Sequence, residues 1–240
     1  MTTTVPMSTS VHDRLLRARH HLILSIPFQL GVIALLAYGT LHLGGSLDPK
    51  LVGLGALGWL AAMILRGPVS VLALKLAPSK DAAQRIVVGS SGPLEEGLRL
   101  ALLLWLVPSW PTALAVALGW AAIEVVFAVV NGLVANVMLS KDDEKAREAR
   151  EYLEAQGMLR ETGAHWAVIE RLFASLAHGG FTLLAAANPL WLLLTIPVHS
   201  GMNLGAVKLS RQSIALAEGM IALMGVLLFL GGMAAMGRLW

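Results

Sequence analysis

Seven apolar stretches, at about 22–44, 51–75, 86–107, 112–139, 165–187, 189–208 and 213–237, leave this chain few folds to choose from. Each approaches or exceeds the roughly 20 residues a helix needs to cross a bilayer. In hydrocarbon every backbone N–H and C=O must be satisfied inside the segment, so such stretches become helices. Only 14% of the residues are charged and mean hydropathy is +0.71, against about 25% charged in a soluble domain. The expected fold is therefore all-α: one domain over residues 1–240, a polytopic membrane helix bundle of about seven transmembrane helices. The first apolar run exceeds the roughly 7–15 residues of a signal-peptide core, so it is expected to be kept as a span. The absence of cysteine excludes disulfides and thiolate metal sites.

Lysine and arginine placement sets the expected orientation. With the N-terminus in the cytoplasm, cytoplasmic segments hold Arg14, Arg17, Arg19, Lys75, Lys80, Arg85, Lys141, Lys145, Arg147, Arg150, Arg160, Lys208 and Arg211, and the other side holds only Lys50 and Arg238. Arg66, Arg99 and Arg171 fall inside spans. The C-terminus is then outside. The pI near 9.5 reflects this orientation and not a nucleic-acid partner. The partner expected from the charges is the lipid bilayer, and the expected location is the cytoplasmic (inner) membrane of a prokaryote.

Within this frame, residues 1–21 form a basic cytoplasmic segment and residues 140–163 a charged cytoplasmic loop with a helix. Ser140 is the expected cap of that helix, Arg147–Glu151 and Arg150–Glu154 its i,i+4 pairs, and Gly157 its stop. Pro108-Ser-Trp-Pro111 and Asn188-Pro189 are hairpin connections too short for anything but antiparallel neighbours. Arg66-Gly67-Pro68 interrupts the second span and is a candidate kink or break.

Ionisable residues within spans are costly, at roughly 2.5–3.5 kcal/mol each on insertion scales. Glu95, Glu96, Arg99, Glu124, Glu170, Glu218, His178 and His199 are of this kind. At 1.5 Å rise per residue, Glu95, Glu124, His178 and His199 all reach mid-membrane depth from different spans. A shared depth has no reason to arise among unrelated structural residues, so a common site within about 86–208 is expected. Glu95 and Glu96 lie i,i+4 and i,i+3 from Arg99, which can neutralise them. His199 and Asn203 share a helix face, with Gly201 and Gly205 on the packing face opposite. Glu170 falls within a quarter turn of His178. Glu218 is expected to be structural.

A glutamate beside an arginine in a low-dielectric site can be tuned as general base for water. Two imidazoles and an amide can stabilise an oxyanion. The same Glu/His/His set could hold Zn²⁺ with a position left for water. Both routes lead to peptide hydrolysis in the membrane. His-Glu-x-x-His is absent, and no aspartate lies in a span. Gly89-Ser-Ser-Gly92 matches a rhomboid-type Gly-x-Ser-Gly, with His178 as its candidate base. Gly53-x-Gly-x-x-Gly58 follows no strand and is expected to serve helix packing.

Glu95-Glu96-x-x-Arg99, Gly119-Trp-Ala-Ala-Ile-Glu124, Glu170-Arg171 leading to His178, and His199-x-x-x-Asn203 occur in that order. The set resembles the YhfC-like intramembrane metallopeptidases, within the CPBP (CAAX protease and bacteriocin-processing)/PrsW superfamily. The arginine here is one residue closer than in the usual CAAX-protease form. The resemblance implies an endopeptidase acting on a membrane-anchored protein or prepeptide. Its catalytic residues would be Glu95, Glu96, His178, His199 and Asn203, with Arg99, Glu124 and Glu170 supporting. Zn would sit, if anywhere, at Glu95, His178 and His199. A proton- or cation-coupled channel or transporter, and a non-catalytic membrane scaffold of the same fold, are the competing expectations.

Overall fold

Long apolar runs with capped starts build this molecule. The computed structural model describes residues 9–155 and 163–239, and every regular element among them is helical. In chain order these are α1 (Thr9–His42), α2 (Pro49–Leu76), α3 (Lys80–Gly89), α4 (Ser91–Leu106), α5 (Trp110–Leu139), α6 (Glu144–Ala155), α7 (Ala164–Ala187), a 3-10 turn (Pro189–Trp191), α8 (Leu192–Ser210) and α9 (Ile214–Ala235). Asp48, Ser79 and Ser109 accept from the first-turn amides of α2, α3 and α5, satisfying donors that have no partner inside the helix. Proline follows Asp48 and Ser109 within the first turn, where its missing N–H costs nothing.

Five helices are long and apolar enough to cross a membrane among the described residues: Asp13–His42, Pro49–Leu76, Trp110–Leu139, Pro189–Ser210 and Ile214–Ala235. The expected spans at 86–107 and 165–187 are not among them. The first is divided: α3 ends at Gly89 and α4 starts at Ser91. Pro93 explains the break, because it has no N–H to offer the Gly89 carbonyl. The Ser200 hydroxyl donates to that carbonyl instead, at 2.7 Å. The second, α7, has the length, but His165, Glu170, Arg171 and His178 dilute its apolar character.

Other expectations change. Pro68 lies inside α2, which continues through Arg66-Gly67-Pro68 as one helix. Ser140 closes α5, donating to Asn136 O, and Asp143 caps α6 by accepting from Ala146 N at 2.8 Å. Arg147–Glu151 forms at 4.0 Å. Arg150 turns away from Glu154 and donates to the carbonyls of Leu139 and Lys141 at the end of α5, while Glu154 pairs with Arg14. A guanidinium gains more from two unpaired, part-buried carbonyls than from one exposed carboxylate. Gly157 and Arg160 lie outside the described residues.

Glycines set the closest helix approaches. Gly55 rests on the Val116 carbonyl and Gly119 on that of Val52, locking α2 to α5. Gly180 lies on Leu228, and Gly225 on Phe173, along the α7–α9 contact. Gly92 abuts Ile196 and joins α4 to α8. Gly55 and Gly58 therefore account for the Gly53–Gly58 pattern as packing, while Gly53 faces open space. Of the expected Gly201/Gly205 packing face, Gly205 meets Met220 but Gly201 meets nothing within 4 Å.

Candidate active site

Arg99 organises the site. It is wholly buried, one turn beyond Glu95 and Glu96 on α4. Its Nη1 donates to His178 O at 2.8 Å and Thr182 Oγ1 at 2.7 Å, both on α7. Its Nη2 lies 3.0 Å from His178 Nδ1. Its Nε lies 3.2 Å from Glu96 Oε2, an ion pair without hydrogen-bond alignment. The guanidinium carbon sits 4.2 Å from the Trp120 ring centroid.

This arrangement assigns the histidine protons. Arginine only donates, so His178 Nδ1 accepts and Nε2 carries the hydrogen. Nε2 lies 2.7 Å from Glu124 Oε2, with its N–H off the direct line to the oxygen. His199 Nδ1 lies 2.7 Å from Glu96 Oε1. A carboxylate only accepts, so Nδ1 donates, and in the neutral imidazole the lone pair is then on Nε2. Each imidazole thus has one nitrogen backed by a glutamate and the other turned inward. His199 also stacks on Phe181, with ring centroids 4.9 Å apart.

Glu95 lies where the inward nitrogens converge. His178 Nδ1 is 3.8 Å from its Oε2, and His199 Nε2 is 3.9 Å from its Oε1. Trp120 Nε1 donates to Oε2 at 3.3 Å, and Arg66 of α2 donates to Oε1. The carboxylate is 3% exposed, so it is held by protein and not by solvent.

Glu95, His178 and His199 are a buried cluster that could hold a metal ion, one ligand atom of each lying within 4.8 Å of the others. The donor chemistry fits zinc: nitrogen and oxygen ligands, with a glutamate behind each histidine. The separations of 3.8 and 3.9 Å exceed the about 3.3 Å between ligands bound tetrahedrally at about 2.0–2.1 Å. Arg99 Nη2 also lies against the His178 lone pair. Contraction of the cluster and withdrawal of that donor would accompany metal binding. The same separations suit a water accepting and donating at about 2.8 Å.

Of the residues expected from sequence, Glu95, Glu96, Arg99, Glu124, His178 and His199 are brought together. Glu170 is not in the cluster. It pairs with Arg171, whose Nη1 donates to Glu124 Oε1 at 3.0 Å, and is linked to the site only through that arginine. Asn203 is also displaced, donating to Ser91 Oγ at 2.8 Å near the α3–α4 break. Ser90 and Ser91 donate to Val87 O and Val88 O, and His178 is engaged by Arg99 and Glu124. The serine–histidine alternative therefore lacks its contact. Glu218 is buried, with Oε2 lacking a hydrogen-bond partner among the described residues.

Sequence reading missed Arg66 and Thr182 as parts of the site, while Trp120 and Arg171 stand inside the quoted motifs without an assigned site role. Two left a signal: Arg66 and Arg171 are intramembrane cations, and each implies a nearby carboxylate. Thr182 left none, since a threonine is unremarkable in a membrane helix. No family model matches the chain, and no curated protein or solved structure matches it.

Proposed function

We propose that this chain is an intramembrane endopeptidase that hydrolyses a peptide bond in a membrane-anchored protein or prepeptide. The observation carrying this reading is the buried Glu95 carboxylate with one nitrogen of His178 and one of His199 at 3.8 and 3.9 Å from its oxygens, each imidazole backed by its own glutamate. Packing alone does not require two glutamate-backed imidazoles to converge on a third buried carboxylate. Glu95 takes a proton from water as the water oxygen attacks the peptide carbonyl carbon. The C–N bond then breaks, and that proton passes to the leaving nitrogen, directly or through His199 Nε2. Glu96 stabilises the His199 imidazolium formed on the way. Arg66 is the donor suited to the developing oxyanion, because Arg99 is committed to α7. Zinc, when bound, would be held by Glu95, His178 and His199 and would supply Lewis-acid polarisation.

The reading includes seven crossings with the N-terminus cytoplasmic and the C-terminus outside. Here α4 makes the third crossing, α3 lies at the interface and α7 makes the fifth. A second reading, proton or cation transport, draws on the linked chain Glu170–Arg171–Glu124–His178.

Proteoliposomes containing the purified chain and fluorogenic transmembrane-segment peptides test the first reading. Wild type is expected to cleave, with Glu95→Gln and His199→Ala slower by about 10²–10⁴-fold. Cleavage surviving both substitutions rejects Glu95 and His199 as its machinery. Proton flux without cleavage, abolished by Glu124→Gln, selects transport. Metal analysis with a Glu96→Gln control reports zinc, whose affinity should fall about 10–100-fold when the carboxylate behind His199 is removed.

A further inference from the structure

A cavity of about 280 Å³ opens between α3 and α8 at the end of the bundle remote from Arg238. Arg85, Lys208 and Arg211 line it, against the single acid Asp81. Gln84 lies opposite Arg211 and accepts from Arg211 Nη2 at 3.2 Å, holding the guanidinium across the cavity. Arg211 Nε is buried and has no hydrogen-bond partner among the described residues. A buried donor without an acceptor costs about 1–3 kcal/mol, and here it belongs to a cation in a cavity with a net excess of positive charge. Val88, Leu204 and Val207 form an apolar wall beside these cations.

We propose that this cavity is a phosphate-binding site. Arg211 supplies the fork that matches two phosphate oxygens, and Arg85 and Lys208 add charge from either side. The apolar wall favours a phosphate that carries acyl chains, as in an anionic phospholipid, over free phosphate. Basic pockets between membrane helices suit such headgroups. Lys208 lies nine residues beyond His199 on α8, about 14 Å along the helix. The site is therefore separate from the Glu95 cluster, and its occupancy does not depend on whether that cluster hydrolyses anything.

The test uses the full chain in neutral detergent, with thermal unfolding followed by tryptophan fluorescence. Phosphatidylglycerol, phosphatidylcholine and inorganic phosphate are titrated separately. Phosphatidylglycerol is expected to raise Tm, and phosphatidylcholine to leave it unchanged. Phosphate alone raising Tm to the same extent would identify a free-phosphate site; no effect of phosphate would identify a headgroup site. Lys208→Gln with Arg211→Gln should weaken the phosphatidylglycerol response about 25-fold in concentration, at about fivefold per lost cation. Lys141→Gln with Lys145→Gln, on the α5–α6 loop and α6, should leave it intact. Arg85→Gln, on the exposed rim, gives an independent reading of about fivefold if the double variant does not fold. No response to either anionic probe, or equal responses in wild type and pocket variants, overturns the proposal.

Discussion

Arg99 has no water into which to turn its charge, and every nitrogen it carries faces α7 or a carboxylate of its own helix. Removing one partner of such a buried set leaves uncompensated charge, at about 3–5 kcal/mol. Arg99→Leu is therefore expected to lower Tm sharply. Arg66→Leu should cost less, because the Arg66 side chain is 21% exposed while that of Arg99 is 0% exposed. Thermal unfolding in detergent distinguishes them, and equal losses would contradict the central place given to Arg99. The spacing of Glu95, Glu96 and Arg99 made their pairing legible in sequence. The grip of Arg99 on His178 O and Thr182 was not, since both are on a helix some 80 residues away.

At the scale of elements, the contacts that aim these side chains are made by glycine. A Cβ on Gly55 would collide with the Val116 carbonyl, so α2 and α5 would have to separate. That contact holds Arg66 and Trp120 on either side of Glu95. Gly55→Ala is expected to destabilise by about 1–3 kcal/mol. Gly53→Ala, facing open space two residues earlier, should be neutral or stabilising by up to about 1 kcal/mol. Chemical or thermal unfolding of the pair checks the α2–α5 packing, which is wrong if the two behave alike. Sequence displays both glycines equally. Which one touches α5 depends on the rotation of α2 about its axis.

Across the whole molecule, the usual arrangement of soluble proteins is inverted. Glu96, Arg99 and His199 are among the most buried side chains, while Leu193, Leu76 and Ile64 are more than two-thirds exposed. Such an exterior is stable against lipid and not against water. The orientation can be tested directly because the chain has no cysteine. Single cysteines at Arg19, Asp142 and Arg238 are expected to label with an impermeant maleimide from one side at Arg19 and Asp142, and from the other at Arg238. Labelling of all three from one side would remove the seven-crossing arrangement.

The sequence by itself determined the all-helical class and the long apolar runs that suit a membrane, because hydropathy is a local property of the chain. The apolar run around Pro93 hides the break that divides the expected span at 86–107 into α3 and α4. Only the tertiary structure decided which glutamate stands behind which histidine, that Arg66 joins Glu95, and that Asn203 and Glu170 lie outside the cluster. Depth fixes a residue along its helix axis. Its direction around that axis, and hence its partner, is set by how glycines and side chains of separate helices pack against one another.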